Sequence, residues 1–480
     1  MKKTAFFFIL LSFMLMGCQH TELPDFVYVQ DDHFVMDGKT WFPLMLNYKV
    51  LVVNHGDSVE VLPADFYLSK DMAADFQQIA DMGFNSLRIC MDSIPDNCHS
   101  EALYQATEHI LLLAKQCQLK VMLLIRKPLD DYWMNYTEGL LKHFANNSTL
   151  WAYDFFNEPL YFDPVPDRDK TDAYRIVCQW RDMMRQYAPH QLFTIGFAEP
   201  IEVFEWDPVF LPVDFVEIHT YHPLRVASEM RWYSDNCKKK PWMVGETSLP
   251  ADNDKVSYEE QRKFMLQVYA LARQYHAAGF GWWNFQDCPN GYNFEAQHTG
   301  LINPLGEKKL AVQEVRKLES MTIAPDDHQV PPNYYNMLGY NNIVLKGKVI
   351  NARTHRPIHG AVVRGWTKDW IGMNTYTDKQ GNFTLYSNDF NIHFEVSAPG
   401  MNTVKFDKED IPYYFTDPQS ARSYNFDSLP NRYLEYHSID YHNFLEGDTI
   451  TLKFNPKHFN QSKIEGNLGK IKLKKLKVDN

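Results

Sequence analysis

The 480-residue chain lacks the basic excess of a nucleic-acid binder: 48 lysines and arginines face 60 aspartates and glutamates, for a formal charge of −12. Binding phosphate backbones requires a basic surface, so nucleic acid is excluded as the expected partner, and a neutral or weakly charged ligand fits better. Cysteine is sparse as well. Beyond Cys18 there are Cys90, Cys98, Cys117, Cys178, Cys237 and Cys288, with no CxxC pair and no histidine-rich ligand spacing. That scatter argues against a bound metal. In an exported chain some of these thiols could oxidise, with Cys90 and Cys98 the closest pair in sequence. No Gly-rich phosphate turn follows the first expected strand, "LMLNYKV", which disfavours an open nucleotide-binding sheet. After the first twenty residues no run is apolar enough to span a bilayer. What is abundant is core material: 45% hydrophobic and 15% aromatic residues, enough for a large core and two or three domains.

The opening "MKKTAFFFILLSFMLMGCQH" has the form of a bacterial export signal, with Lys2 and Lys3 ahead of an apolar stretch from Phe6 to Met16. The stretch is too short to cross a membrane. "LMGC", ending at Cys18, resembles a lipobox, in which cleavage before the cysteine is coupled to its acylation. The expectation is therefore a signal over residues 1–17, a lipid on Cys18, a tether over 18–26, and a location on the periplasmic face or the cell surface. An ordinary secretory signal is the plainer alternative.

From residue 27 to 320, short β-rich runs alternate with segments of helical period, which predicts a parallel sheet with covering helices. A hairpin, "FVMDGKTWF", turns at Asp37 and Gly38. The strands that follow are "WFPLMLN", "FNSLRI", "KVMLLI", "WAYDFF", "LFTIGF", "DFVEIHTY", "PWMVGE" and "FGWWNF". Among the helices, "SKDMAADFQQIADMG" offers Ser69 as a cap, Met72, Phe76, Ile79 and Met82 as its apolar face, and Gly83 as its stop. A last helix is expected near Leu310 to Glu319. Eight strand–helix units over this length predict a (β/α)8 barrel.

Residues 321–341, rich in Pro, Asp and Asn, read as a linker. Over 342–455 the pattern changes to short alternating strands, predicting a small all-β sandwich. The basic tail, 456–480, fits either a final strand or a solvated end. "GKVINARTHRPIHGAVV", "TDKQGNFTL" and "SAPGM" together resemble the carboxypeptidase-regulatory-like (transthyretin-like) module. The resemblance implies a spacer or docking role.

In such a barrel the C-terminal ends of the strands form the active face. Glu158 ends the fourth strand and Glu246 the seventh, so two carboxylates face one another across the mouth, as retaining glycoside hydrolysis requires. Over residues 27–320 the chain resembles the clan of (β/α)8 retaining glycoside hydrolases, especially family 5, the cellulases and β-mannanases. The resemblance rests on "NEP" at Asn157 to Pro159, "FNSLR" with Arg88, "HTY" with His219 and Tyr221, "GET" with Glu246 and "WNFQD" with Trp283.

It implies Glu158 as acid/base and Glu246 as nucleophile, with Arg88 and Tyr221 holding Glu246. It further implies His219 orienting Glu158, Asn157 bonding the substrate 2-hydroxyl and Trp283 walling the sugar. Strand alternation turns the neighbouring Trp282 the other way, as a packing residue. The implied substrate is a β-mannan or β-glucan type carbohydrate, cleaved with no metal and no organic cofactor. One departure stands out: where many family 5 members carry a histidine after the third strand, "MLLIRKPLDD" has Arg126 and Lys127. An inactive glycan-binding protein on a hydrolase scaffold would normally have lost one carboxylate, and both are here. A transglycosylase or a sister-family exo-β-glycosidase would use the same pair.

Overall fold

Eight parallel strands follow one another around a closed barrel: β1 (Leu44–Asn54), β2 (Ser86–Cys90), β3 (Lys120–Leu124), β4 (Leu150–Asn157), β5 (Leu192–Phe197), β6 (Val216–His219), β7 (Trp242–Glu246) and β8 (Phe280–Trp282). Closure is direct, with Phe280, Gly281 and Trp282 of β8 opposite Leu44, Met45 and Leu46 of β1. The computed structural model describes most of residues 25–407, with short breaks, residues 464–478, and two residue pairs between these stretches. The leader with Cys18, and Ser69, lie outside the described residues.

The outer helices are α1 (Met72–Met82), α2 (Ser100–Gln116), α3 (Asp131–Phe144), α4 (Lys170–Tyr187), α5 (Val226–Asn236) and α6 (Tyr258–Gln274). The cap of α1 is Asp71, whose carboxylate accepts the N–H groups of Ala73 and Ala74, and Gly83 ends the helix in the left-handed region at φ 110°. Met72, Phe76, Ile79 and Met82 are buried on one face. Each such side chain stabilises the fold by about 1.5–3 kcal/mol before entropy is counted. Where one helix was expected near Leu310 to Glu319, two short turns form, Val312–Val315 and Leu318–Ser320. Lys309 is pulled fully inside just before them, its ammonium on Ala251 O, His298 O and Asp287.

The N-terminal end of the barrel is plugged. Strands Val27–Gln30, His33–Met36 and Lys39–Trp41 form a small sheet, turning at Asp37 and Gly38 as the sequence predicts. Phe34 meets Trp151 and Phe215 edge-on at 5.3 and 5.1 Å, and Trp151 stacks on Phe215 at 5.4 Å. Met45, Met122 and Met243 complete this apolar floor. The chain enters here, where the Lys120 ammonium donates to Asp25 O at 2.7 Å. At the opposite end β1 overshoots the barrel and pairs antiparallel with Val59–Pro63, an extension the short run "WFPLMLN" did not foretell.

Two antiparallel-rich sheets follow the barrel. One joins β9 (Ile343–Asn351) to β12 (Asn382–Ser387) and, in parallel, to β15 (Ile464–Leu473). The other orders β11 (Gly372–Tyr376), β10 (Val362–Thr367), β13 (Asn391–Ser397) and β14 (Val404–Asp407) side by side. Of the two alternatives for the basic tail, a strand forms over Ile464–Leu473. The expected linker lies against the barrel over its described part, with Asp326 held by both oxygens on Arg231 at 2.6 and 2.7 Å. A buried lysine ties the two units: Lys170, 4% exposed, pairs with Asp207 at 2.8 Å and donates to Ser397, Ala398 O and Met401 O.

Candidate active site

Strand alternation sends every second residue into the barrel, so β6 aims Phe215, Glu217 and His219 inward in ascending order. Two irregularities then set the carboxylates at the mouth. Ile218 lies opposite Val244 but His219 opposite Glu246, so β7 carries one residue more than β6 at that point. Likewise Asp154 lies opposite Thr194 and Asn157 opposite Gly196, so β4 gains one on β5 just before Glu158. Such bulges re-aim side chains. Glu158 itself takes φ 48°, ψ 69°, a left-handed conformation that a non-glycine residue adopts at a cost. Its turn is pinned by Glu202, fully buried, which accepts the N–H groups of Leu160 and Ala198 at 2.8 Å each.

Six of the seven expected site residues converge. The Arg88 guanidinium donates to Glu246 Oε1, to Asn157 Oδ1 at 2.8 Å and to Asp154 Oδ2 at 2.6 Å. Tyr221 OH donates to Glu246 Oε2. Because Arg88 has only donors, the Asn157 carbonyl must face it, which leaves the amide NH2 as the donating end toward the mouth. His219 Nδ1 lies 2.9 Å from Glu158 Oε1 and 3.7 Å from Glu246 Oε2. Trp283 follows β8, half-buried, its backbone N–H on Thr247 O at 3.0 Å, whereas Trp282 is fully buried. Arg126 and Lys127 belong to other contacts: Arg126 stacks over Trp133 at 4.3 Å, and Lys127 reaches Phe162 O at 2.6 Å.

Three residues escaped the motif reading. Asn47 is fully buried, accepts Arg88 at 3.0 Å and donates to Gly245 O and Trp282 O. Asp154 takes two donors from Arg88 and the Gly196 N–H. Glu217 sits 3.3 Å from Arg88 Nε. Their signal was present as single polar residues inside apolar strands, "AYDFF" and "VEIH", where an acid is tolerated only when paired.

The electrostatics follow from one arginine among three buried carboxylates. Burial opposes the Arg88 charge, but Glu217, Asp154 and Glu246 together raise its pKa well above the ordinary value. Burial raises Asp154 to about 7 against the pull of Arg88, and burial likewise raises Glu246, opposed by His219 and Arg88. For His219, burial disfavours the charge, yet Glu246, Glu158 and Glu217 outweigh it and push the ring up to about 10.

Glu158, His219 and Glu246 each bring one donor atom within 4.8 Å of the others, a spacing that could admit a metal ion. The donor set fits one poorly, because both oxygens of Glu246 are already engaged, by Arg88 and Tyr221. What the set can do is move a proton at Glu158 while Glu246 is held as an oriented anion. The six described cysteines are free thiols; Cys90 lies under Arg88 at 3.9 Å, its pKa raised by burial.

No protein-family model matches the sequence, and no curated protein matches it. Among solved structures, the chain is similar to the exo-β-1,4-mannosidase Op5Man5 from Opitutaceae bacterium strain TAV5, at 12% identity over 86% of this chain and 98% of that one, with a TM-score of 0.49. It is similar to GH5_18 from Streptomyces cattleya in complex with GlcNAc at 14% identity, 65% and 85% coverage, TM-score 0.46. A β-mannanase from the blue mussel Mytilus edulis gives 13% identity, 61% and 96% coverage, TM-score 0.43. At such identities the likeness is one of fold.

Proposed function

We propose that the protein is a retaining glycoside hydrolase that cleaves a β-linked polysaccharide or oligosaccharide, of β-mannan or β-glucan type, by double displacement. The observation that carries this reading is the approach of Glu158 and Glu246 to within 4.8 Å, with His219 against both and Arg88 and Tyr221 on Glu246 alone. An oxygen-to-oxygen approach of this order is compatible with the roughly 5–5.5 Å carboxyl separation of direct attack. Glu158 protonates the leaving oxygen while Glu246 attacks the anomeric carbon. Water, activated by Glu158, then releases the sugar. The amide of Asn157 serves the 2-hydroxyl, and Trp283 offers its ring to the sugar face.

In the same reading the chain is exported and held on a bacterial membrane by a lipid on Cys18, and the C-terminal sheets, a carboxypeptidase-regulatory-like module, act as a spacer or docking surface. Support comes from the lipobox-like "LMGC" and the spacing of "GAVV" and "DKQG". Incubation with mannan, mixed-linkage glucan, xylan and galactan tests the activity. Release of a product whose first-formed anomer keeps its configuration is expected. An inverted product, or no turnover on any of these glycans, would overturn the proposal. Glu158→Ala should turn over natural glycans slowly yet regain rate on activated aryl glycosides with azide, since a good leaving group needs no acid.

A further inference from the structure

We infer that Glu217 is a positioning residue for this reaction, a buried carboxylate that stands behind the His219 ring as its counter-ion through both halves of the cycle. The inference rests on the glycosidase reading above.

Glu217 is fully buried, and among the described residues neither of its oxygens has a hydrogen-bond partner; nor has Nε2 of His219. These unsatisfied atoms face one another, Oε1 to Nε2 at 3.7 Å, with Arg88 Nε 3.3 Å from the same oxygen. A buried acid with so few contacts is expensive to keep. The strands nevertheless make room for it. A Cβ at Gly245 would stand 2.0 Å from Glu217 Oε1, and one at Gly196 would stand 2.9 Å from His219 Nε2.

Charge alternation at the site supplies the reason. In the first step the Glu158 proton passes to the leaving oxygen as the glycosidic C–O bond breaks, and a Glu246 oxygen bonds the anomeric carbon. Glu158 gains a negative charge and Glu246 loses its own. In the second step Glu158 takes a proton from water, the water oxygen bonds the anomeric carbon, and the Glu246–carbon bond returns its electron pair to Glu246. Neither carboxylate is therefore a constant partner for His219. Glu217 takes no part in either bond change. His219 Nδ1, 2.9 Å from Glu158 Oε1 and 3.7 Å from Glu246 Oε2, is placed to serve whichever carboxylate carries the charge, while Glu217 stays behind the ring through both steps.

The groups that face His219 are Glu158 and Asp154 on or after β4, Glu202 after β5, Glu246 on β7, Arg88 on β2 and Tyr221 beyond its own strand. Of the carboxylates, Asp154 is committed to Arg88 and Glu202 to two backbone N–H groups. That leaves Glu217 as the carboxylate that faces the Nε2 side.

Glu217→Gln keeps the shape and removes the charge. In the full chain it should lower kcat/KM about tenfold and move the basic limb of the pH–rate profile down by roughly one unit. Nitrogen-detected NMR of His219 should show an imidazolium well above neutral pH in the wild type and a lower titration midpoint in Glu217→Gln, with Glu217→Asp in between. A loss of rate in which neither the basic limb nor the His219 midpoint moves would reduce Glu217 to a packing residue and overturn the inference. The NMR titration needs no substrate, so it judges the pair even if glycosidase activity is absent. Should Glu217→Gln fail to fold, a wild-type His219 titrating near the ordinary 6.5 would equally overturn it.

Discussion

At the floor of the barrel Phe215 stacks on Trp151 and Met243 fills the gap beside them; one pleat step higher on the same strands stand Glu217 and Gly245. Met45 gives way to Asn47 in the same manner, and Ser86, which accepts the Trp151 indole N–H at 3.2 Å, gives way to Arg88. The floor is closed by volume, with large rings meeting edge to face or stacked, among apolar side chains. The upper layer is closed by pairing, with glycines set where a side chain would collide with a carboxylate. The same sheet therefore supports two kinds of order: apolar fit, sensitive to size, and an ion network, sensitive to which charge is left without a partner.

The sharpest way to separate the two layers is Glu246→Ala. Turnover should fall on the order of a millionfold while denaturant stability holds or rises, because the change removes one of three carboxylates crowding Arg88. Appreciable residual turnover in a pure preparation would end the nucleophile assignment. Next comes a matched pair. Arg88→Met strands buried carboxylates and should cost about 3–5 kcal/mol along with all activity. Trp151→Ala should cost a similar 3–5 kcal/mol, yet leave the folded fraction with kcat near that of the wild type. Equal damage to kcat from both would erase the distinction between the ends.

A smaller effect is expected at Lys170→Met, about 1–3 kcal/mol in stability with kcat unchanged, since this ammonium serves the docking of the sheets and not the mouth. The gentlest probe is pH. Glu246 lies above the usual glutamate range, so its charge is lost as pH falls through that raised value. The acid limb of kcat/KM should therefore begin while ordinary glutamates are still ionised. His219 is raised from 6.5 to about 10, so its contribution to stability is full below about 6.5 and is lost as pH rises through about 10. Alkaline melts that keep their midpoint through that window would contradict the charged ring.

The eight strands were legible because each is a short apolar run bounded by turn residues, and the Glu158–Glu246 pair because two acids end such runs. Asp154 and Glu217 were harder to read. An acid within a strand declares that it has a partner but not which one, and here both share Arg88, 66 residues from Asp154 in sequence. Ser69 was a reasonable cap by type, but Asp71 provides the one seen, two residues nearer the apolar face. Lys170 carried no signal at all. At the start of a helix a lysine reads as solvated, and it is buried only because a loop more than two hundred residues later folds over it.

The position of Asp25 would give the lipid proposed on Cys18 a consequence for the direction in which the protein faces. Asp25 is fastened beside Lys120 on the plugged side. A lipid on Cys18 would thus be joined to the floor by a leash of about seven residues, which reaches at most about 25 Å when taut. Moored in that way, the molecule would rest with its aromatic plug toward the bilayer and its open end toward the surroundings. A substrate of the kind proposed above could then be taken from outside without threading between protein and membrane.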